Sequence, residues 1–138
     1  MTPLSLLLAV LLPLFVQQPT AQDKPAAKKQ SVATESITVY YFHSSRRCKT
    51  CLGIEDVAKS LVKEQYGSDK AIVFKSLNIE EDKNAPLVER FQVAGSSLIV
   101  ARGAKSEDLT TDAFQYALRD PGKLQRLLIT TIEAMRKG

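Results

Sequence analysis

The residues of this chain most able to do chemistry are two cysteines three positions apart, in Cys48-Lys49-Thr50-Cys51. At i and i+3 of a helix start they lie on adjacent turns of one face, so their sulfurs can join with little backbone movement. The upstream position is where the free N–H groups and dipole of a helix N-terminus favour a thiolate. Arg46, Arg47 and Lys49 surround it with positive charge, so the Cys48 thiol is expected to titrate below the ordinary ~8.5. That makes Cys48 the expected nucleophile. Cys51, one turn deeper, would resolve a mixed disulfide by displacing the partner. The structural alternative is a permanently closed bridge, although so short a loop constrains an unfolded chain little.

His43 precedes the pair and is the chain's single histidine. An imidazole is suited to carrying a proton to or from the cysteines; otherwise it is a strand-end side chain bonded to backbone. With 2 Cys and 1 His, a four-ligand zinc site cannot be completed from N and S alone. A site built from Cys48, Cys51 and His43 would need the intervening turn to fold back.

The elements that must position these groups follow from periodicity. Ile37 to Phe42 is a β-branched and aromatic run with few polar breaks, the pattern of a strand covered on both faces. After the polar turn His43–Arg47, residues Ile54, Val57, Ala58, Leu61, Val62 and Tyr66 recur with the helical period, and Gly67-Ser68 stops that helix. Ala71–Ile79 reads as a second strand, and Pro86 opens a short helix carrying Leu87, Val88 and Phe91. Leu98–Ala101 reads as a third strand, followed by a turn at Gly103. Lys105–Thr111 fits either a short edge strand or a loop, and Asp112–Leu118 a helical turn or two. Asp120-Pro121 is a cap followed by proline at the first helical position, and Leu124, Leu127, Leu128, Thr131, Ile132 and Met135 then repeat on one face. At 138 residues with 44% hydrophobic and 25% charged residues, the chain has room for one ordinary domain and not for a multidomain enzyme.

The N-terminal stretch is of a different kind. Leu4–Val16 is apolar apart from Ser5 and Pro13, shorter than the ~20 residues that cross a bilayer as a helix. It reads as the apolar region of an export signal cleaved after Ala21, so residues 1–21 are a signal peptide; the alternative is an uncleaved anchor. Residues 22–36, rich in Ala, Lys, Gln, Ser and Thr, are expected to be a flexible linker, with weak contact to an anionic membrane surface. The domain proper spans 37–138. Export, periplasmic or secreted, places the cysteines in an oxidising compartment. The net charge of +4 is spread along the chain rather than gathered in a patch, so no nucleic-acid partner is expected.

This order of elements, with Cys48-Lys49-Thr50-Cys51 at the first strand-to-helix junction, resembles the thioredoxin fold over residues 37 to 137. Within that superfamily, Tyr40-Tyr41-Phe42-His43 followed by Arg47-Cys48-Lys49-Thr50-Cys51 resembles an exported bacterial group, the ArsF-type or nitrophenyl compound nitroreductase subunit family. The resemblance implies an α/β domain with a central mixed sheet flanked by helices, acting as a thiol:disulfide oxidoreductase on a protein thiol or disulfide partner, as a monomer. No cofactor is expected, because no Gly-rich dinucleotide fingerprint is present. Two departures stand out. Ser97 aligns where thioredoxins carry a cis-proline facing the cysteines; a trans peptide is expected there, since a non-proline cis bond costs ~2.5 to 4 kcal/mol. Ser97 and Arg47 are then the expected substrate contacts. No Asp or Glu lies between Ser36 and Cys51, so the buried acid that relays protons in thioredoxins has no counterpart in the first strand, which leaves that role to His43. The second reading is a redox-linked binding module or a carrier of copper(I), a soft metal suited to thiolates.

Overall fold

A computed structural model of the protein describes residues 35–138. The expected signal peptide at 1–21 and all of the expected linker except Glu35 and Ser36 lie outside the described residues.

The run Ile37–His43 forms strand β1, buried along nearly its whole length. Helix α1 (Lys49–Tyr66) follows, then β2 (Ile72–Asn78), a 3-10 turn (Asp82–Asn84) and the short α2 (Ala85–Arg90). Strands β3 (Ser97–Arg102) and β4 (Lys105–Asp108) form a hairpin, and α3 (Thr110–Tyr116) and α4 (Pro121–Lys137) complete the domain. The sheet order is β2-β1-β3-β4. β1 runs parallel to β2, with Val39 opposite Phe74, and antiparallel to β3, with Val39 opposite Val100. β4 pairs antiparallel with β3 at the edge. A mixed four-stranded sheet in this order, flanked by helices, is the thioredoxin-like α/β fold.

Because side chains alternate along a strand, β1 supplies both layers of the core. Ile37, Val39 and Tyr41 point to one face, where Leu98 and Val100 join them under Ile54, Ala58 and Leu61 of α1 and Leu124, Leu128 and Ile132 of α4. Tyr40 and Phe42 point to the other, with Ile99 and Ala101 beneath Leu87, Val88 and Phe91. This two-sided burial is why the β1 sequence is almost unbroken in its hydrophobicity. The leucine repeat of α4 covers the sheet, and the helix opens on Asp120, whose carboxylate accepts from the Lys123 backbone N–H at 2.9 Å, with Pro121 next in line.

Within Lys105–Thr111, which fits either a strand or a loop, Lys105–Asp108 is the edge strand. Its residues are all exposed, so it has no apolar alternation to reveal it, and backbone pairing to β3 alone defines it. The helix expected over Asp112–Leu118 begins earlier, at Thr110. Buried Leu109 anchors its start, and its N–H donates to the Leu98 carbonyl at 2.8 Å.

Candidate functional site

The site lies at the C-terminal end of β1, where the chain leaves the sheet and enters α1. The connecting turn is fastened at several points. Ser44 Oγ donates to the Arg46 carbonyl at 2.7 Å. Ser45 Oγ donates to the Glu80 carboxylate and accepts from Asn78 Nδ2 at 2.9 Å. Asn78 in turn accepts from the Glu80 N–H at 3.0 Å, and its carbonyl takes the buried Asn84 side-chain amide at 2.8 Å. The turn carrying Cys48 is thus strapped to the end of the parallel neighbour β2. Glu80 is held below the ordinary carboxylate range, chiefly by the Ser45 hydroxyl and backbone N–H, with a further contribution from His43.

Cys48 is the N-cap of α1, and the Cys51 N–H donates to its sulfur at 3.1 Å. Cys48 and Cys51 are joined in a disulfide, with Cα atoms 5.1 Å apart. Their exposures differ sharply: Cys48 is on the surface, whereas Cys51 is buried, at 7%. The asymmetry follows from helix geometry, since three positions on, the chain has turned toward the sheet. An attacking group from solvent meets Cys48 first.

Cys51 is seated by two neighbours. Tyr41, fully buried in β1, donates its hydroxyl to the Cys51 carbonyl at 2.8 Å. Ser96 Oγ lies 3.7 Å from Cys51 Sγ, and with the sulfur in a disulfide the hydroxyl is the only possible donor. Burial pushes the Tyr41 hydroxyl up, against the opposing pull of Arg47 and Ser96, so it stays protonated as a donor. Ser97, the residue aligned with the thioredoxin proline, directs its hydroxyl to the Gly95 carbonyl at 3.3 Å. Its neighbour Ser96 is the one that touches a cysteine. No cis peptide bond occurs among the described residues.

Arg47, one of the cations expected to add positive potential at Cys48, does not stand alone. It pairs with Glu55 of α1, with the two side chains only 22% and 19% exposed. Its guanidinium also lies over the Tyr41 ring, 5.7 Å from the centroid. Burial raises the Glu55 carboxyl, but hydrogen bonds from Ser76 and Arg47, the Arg47 charge and His43 outweigh it and hold Glu55 below its ordinary value. An acid therefore does lie beside the site, supplied by α1 rather than by the first strand. Its spacing, one turn past Cys51, was the only available signal, and on a helix such a carboxylate reads as solvated surface charge.

His43 ends β1 with its ring stacked on Tyr41 at 5.9 Å between centroids, and its Nδ1–H donates to the Ser44 carbonyl at 3.0 Å. The backbone-bonded alternative accounts for this nitrogen. Among the described residues no three His, Cys, Asp or Glu side chains converge to hold a metal ion, so the Cys48, Cys51 and His43 set is not assembled. Leu52, half exposed, sits one turn below Cys48, its N–H bonded to the Cys48 carbonyl at 3.0 Å. Beside it, half-exposed Leu118 packs so closely on Gly53 that a Cβ there would lie 2.7 Å from Leu118 Cδ2. Leu52 and Gly53 also line an open groove with Glu55, Asp56 and Lys59.

Fold and site together define a thioredoxin-like α/β domain with a Cys48–Cys51 disulfide at the start of its first helix. No protein-family model matches the chain, and no curated protein matches it, so neither comparison adds support to the ArsF-type resemblance. Among solved structures the chain is similar to that of a malarial protein, at 21% identity and a TM-score of 0.41, over 59% of this chain and 94% of the other. Among the described residues no helix is long and apolar enough to cross a membrane.

Proposed function

We propose that the protein is an exported thiol:disulfide oxidoreductase in which Cys48 attacks and Cys51 resolves. The observation that carries this reading is the pairing of an exposed helix-cap Cys48 with a 7%-exposed Cys51 beneath it. In the reducing direction, the Cys48 thiolate attacks a partner disulfide; the Cys48–partner S–S bond forms as the partner's bond breaks, and one partner sulfur leaves as a thiolate. The Cys51 thiolate then attacks Cys48 Sγ, closing the internal disulfide and releasing the second partner sulfur. The partner gains two electrons and two protons while this chain is oxidised. Run backwards, the same steps oxidise a partner dithiol, and the relative potentials of the two pairs decide the direction. The apolar surface at Leu52 and Leu118 beside Cys48 favours a polypeptide partner over a small thiol.

Replacing Cys51 with Ser removes the resolving sulfur, so the Cys51→Ser protein is expected to accumulate mixed disulfides through Cys48, visible as reductant-sensitive adducts in a periplasmic or secreted-protein extract. A Cys48→Ser protein should collect none. Absence of adducts with the Cys51 variant overturns the reading. The reduction potential supplies an independent check: a value near −120 to −200 mV fits an active oxidant, and one below about −300 mV a structural bridge.

A further inference from the structure

Arg47 immediately precedes Cys48, and its charge is paired with a carboxylate of α1. That carboxylate belongs to Glu55; the guanidinium also lies over the Tyr41 ring, and the Tyr41 hydroxyl reaches the Cys51 carbonyl at 2.8 Å. Both charged side chains are largely shielded from water, so the pair neutralises itself locally rather than through bulk solvent. The other cations beside Cys48 are the exposed Arg46 and Lys49.

We propose that Glu55 is a positioning residue for disulfide exchange: by pairing with Arg47 it offsets a positive charge beside Cys48 and keeps the dithiol less oxidising than its flanking sequence implies. The proposal rests on the oxidoreductase reading for its biological meaning. The groups that bear on this pair are Arg47 and His43 from the β1 end, Ser76 from β2, Tyr41 beneath, and Asp56 and Lys59 along the same groove of α1. Without the Glu55 carboxylate, the Arg47 charge is uncompensated and free to stabilise the Cys48 thiolate. A more stable thiolate stabilises the reduced form, and a more stable reduced form makes the pair a stronger oxidant.

The test is a double-mutant cycle on the full reduced protein, read by the pH dependence of Cys48 alkylation and by equilibrium with glutathione, in which the dithiol and glutathione disulfide exchange for the closed Cys48–Cys51 bond and two glutathione thiols. Glu55→Gln, close in shape but uncharged, should move the alkylation midpoint to lower pH and lower the equilibrium constant for oxidation by glutathione disulfide several-fold. Arg47→Ala, which leaves an unbalanced carboxylate, should move both the opposite way. The double variant should return close to the parent, and Glu55→Asp should stay nearer the parent than Glu55→Gln does. A Glu55→Gln protein with an unshifted or raised midpoint, or a double variant that does not revert, overturns the proposal. A purely structural role for the pair predicts lost stability in all variants with no opposed shifts. Neither measurement needs a protein partner, so a failure to trap mixed disulfides in extracts leaves this test independent.

Discussion

At the scale of single residues, the site is governed by which side chain faces which. Cys48 and Cys51 differ by one helical turn, and that turn separates a sulfur open to solvent from one seated under Tyr41 and Ser96. The depressed Glu55 carboxyl also makes a claim about stability. A carboxyl whose folded value lies below its unfolded one contributes stability above the unfolded value, about 4.3 for Glu, and that contribution is lost as pH falls through the depressed folded value. Denaturant unfolding across that acid window should therefore show a stability loss that Glu55→Gln makes shallower, with the depressed Glu80 accounting for part of what remains. A slope unchanged in the variant would mean that the pair contributes nothing to the acid response. The cysteines were legible in the sequence because their spacing is itself the chemistry. Glu55 and Tyr41 were not. A helical Glu looks like surface charge, and a Tyr inside an aromatic strand run looks like core, which Tyr41 also is. What distinguishes them is a partner on the other side of the β1–α1 turn, 8 and 10 positions away, which neither the strand period nor the helix period records.

At the scale of elements, legibility followed apolar periodicity. β1, α1 and α4 carry strong repeats because each buries a face against the sheet. β4 carries none because every residue in it is exposed, and α3 is shifted because Leu109, just ahead of it, is the residue that anchors it. The energetics should follow the same division. Leu128 is fully buried at the centre of α4, so Leu128→Ala is expected to cost ~2 to 5 kcal/mol, measured by urea unfolding. A loss well under 1 kcal/mol would show that α4 packs loosely on the sheet.

At the scale of the whole molecule, the sheet order β2-β1-β3-β4 puts the strand that leads to the cysteines in the interior of the sheet. A strand paired on both sides and buried on both faces is the least able to shift, and so the dithiol is mounted on the stiffest part of the fold. The disulfide itself adds little to that stiffness, since it closes a loop with a sequence separation of 3. Reducing it should lower unfolding free energy by no more than ~2 kcal/mol, the chain-entropy value for so short a loop, when denaturant curves with and without reductant are compared. A larger drop would assign the bond a structural role and weaken the case for cycling.

The strap from Ser45 through Glu80 and Asn78 to the end of β2 bears on encounter as well as on stability. A loop that must be ordered before reaction gives up conformational freedom at each collision, roughly 1 to 2 kcal/mol per backbone residue fixed. Here that freedom is surrendered once, on folding, and under the proposed exchange Cys48 Sγ meets a partner in a fixed direction. Selectivity among partners then falls to the partner's own pliancy: a cysteine in a mobile segment can bend to the required approach, whereas one held in a rigid surface must already match it.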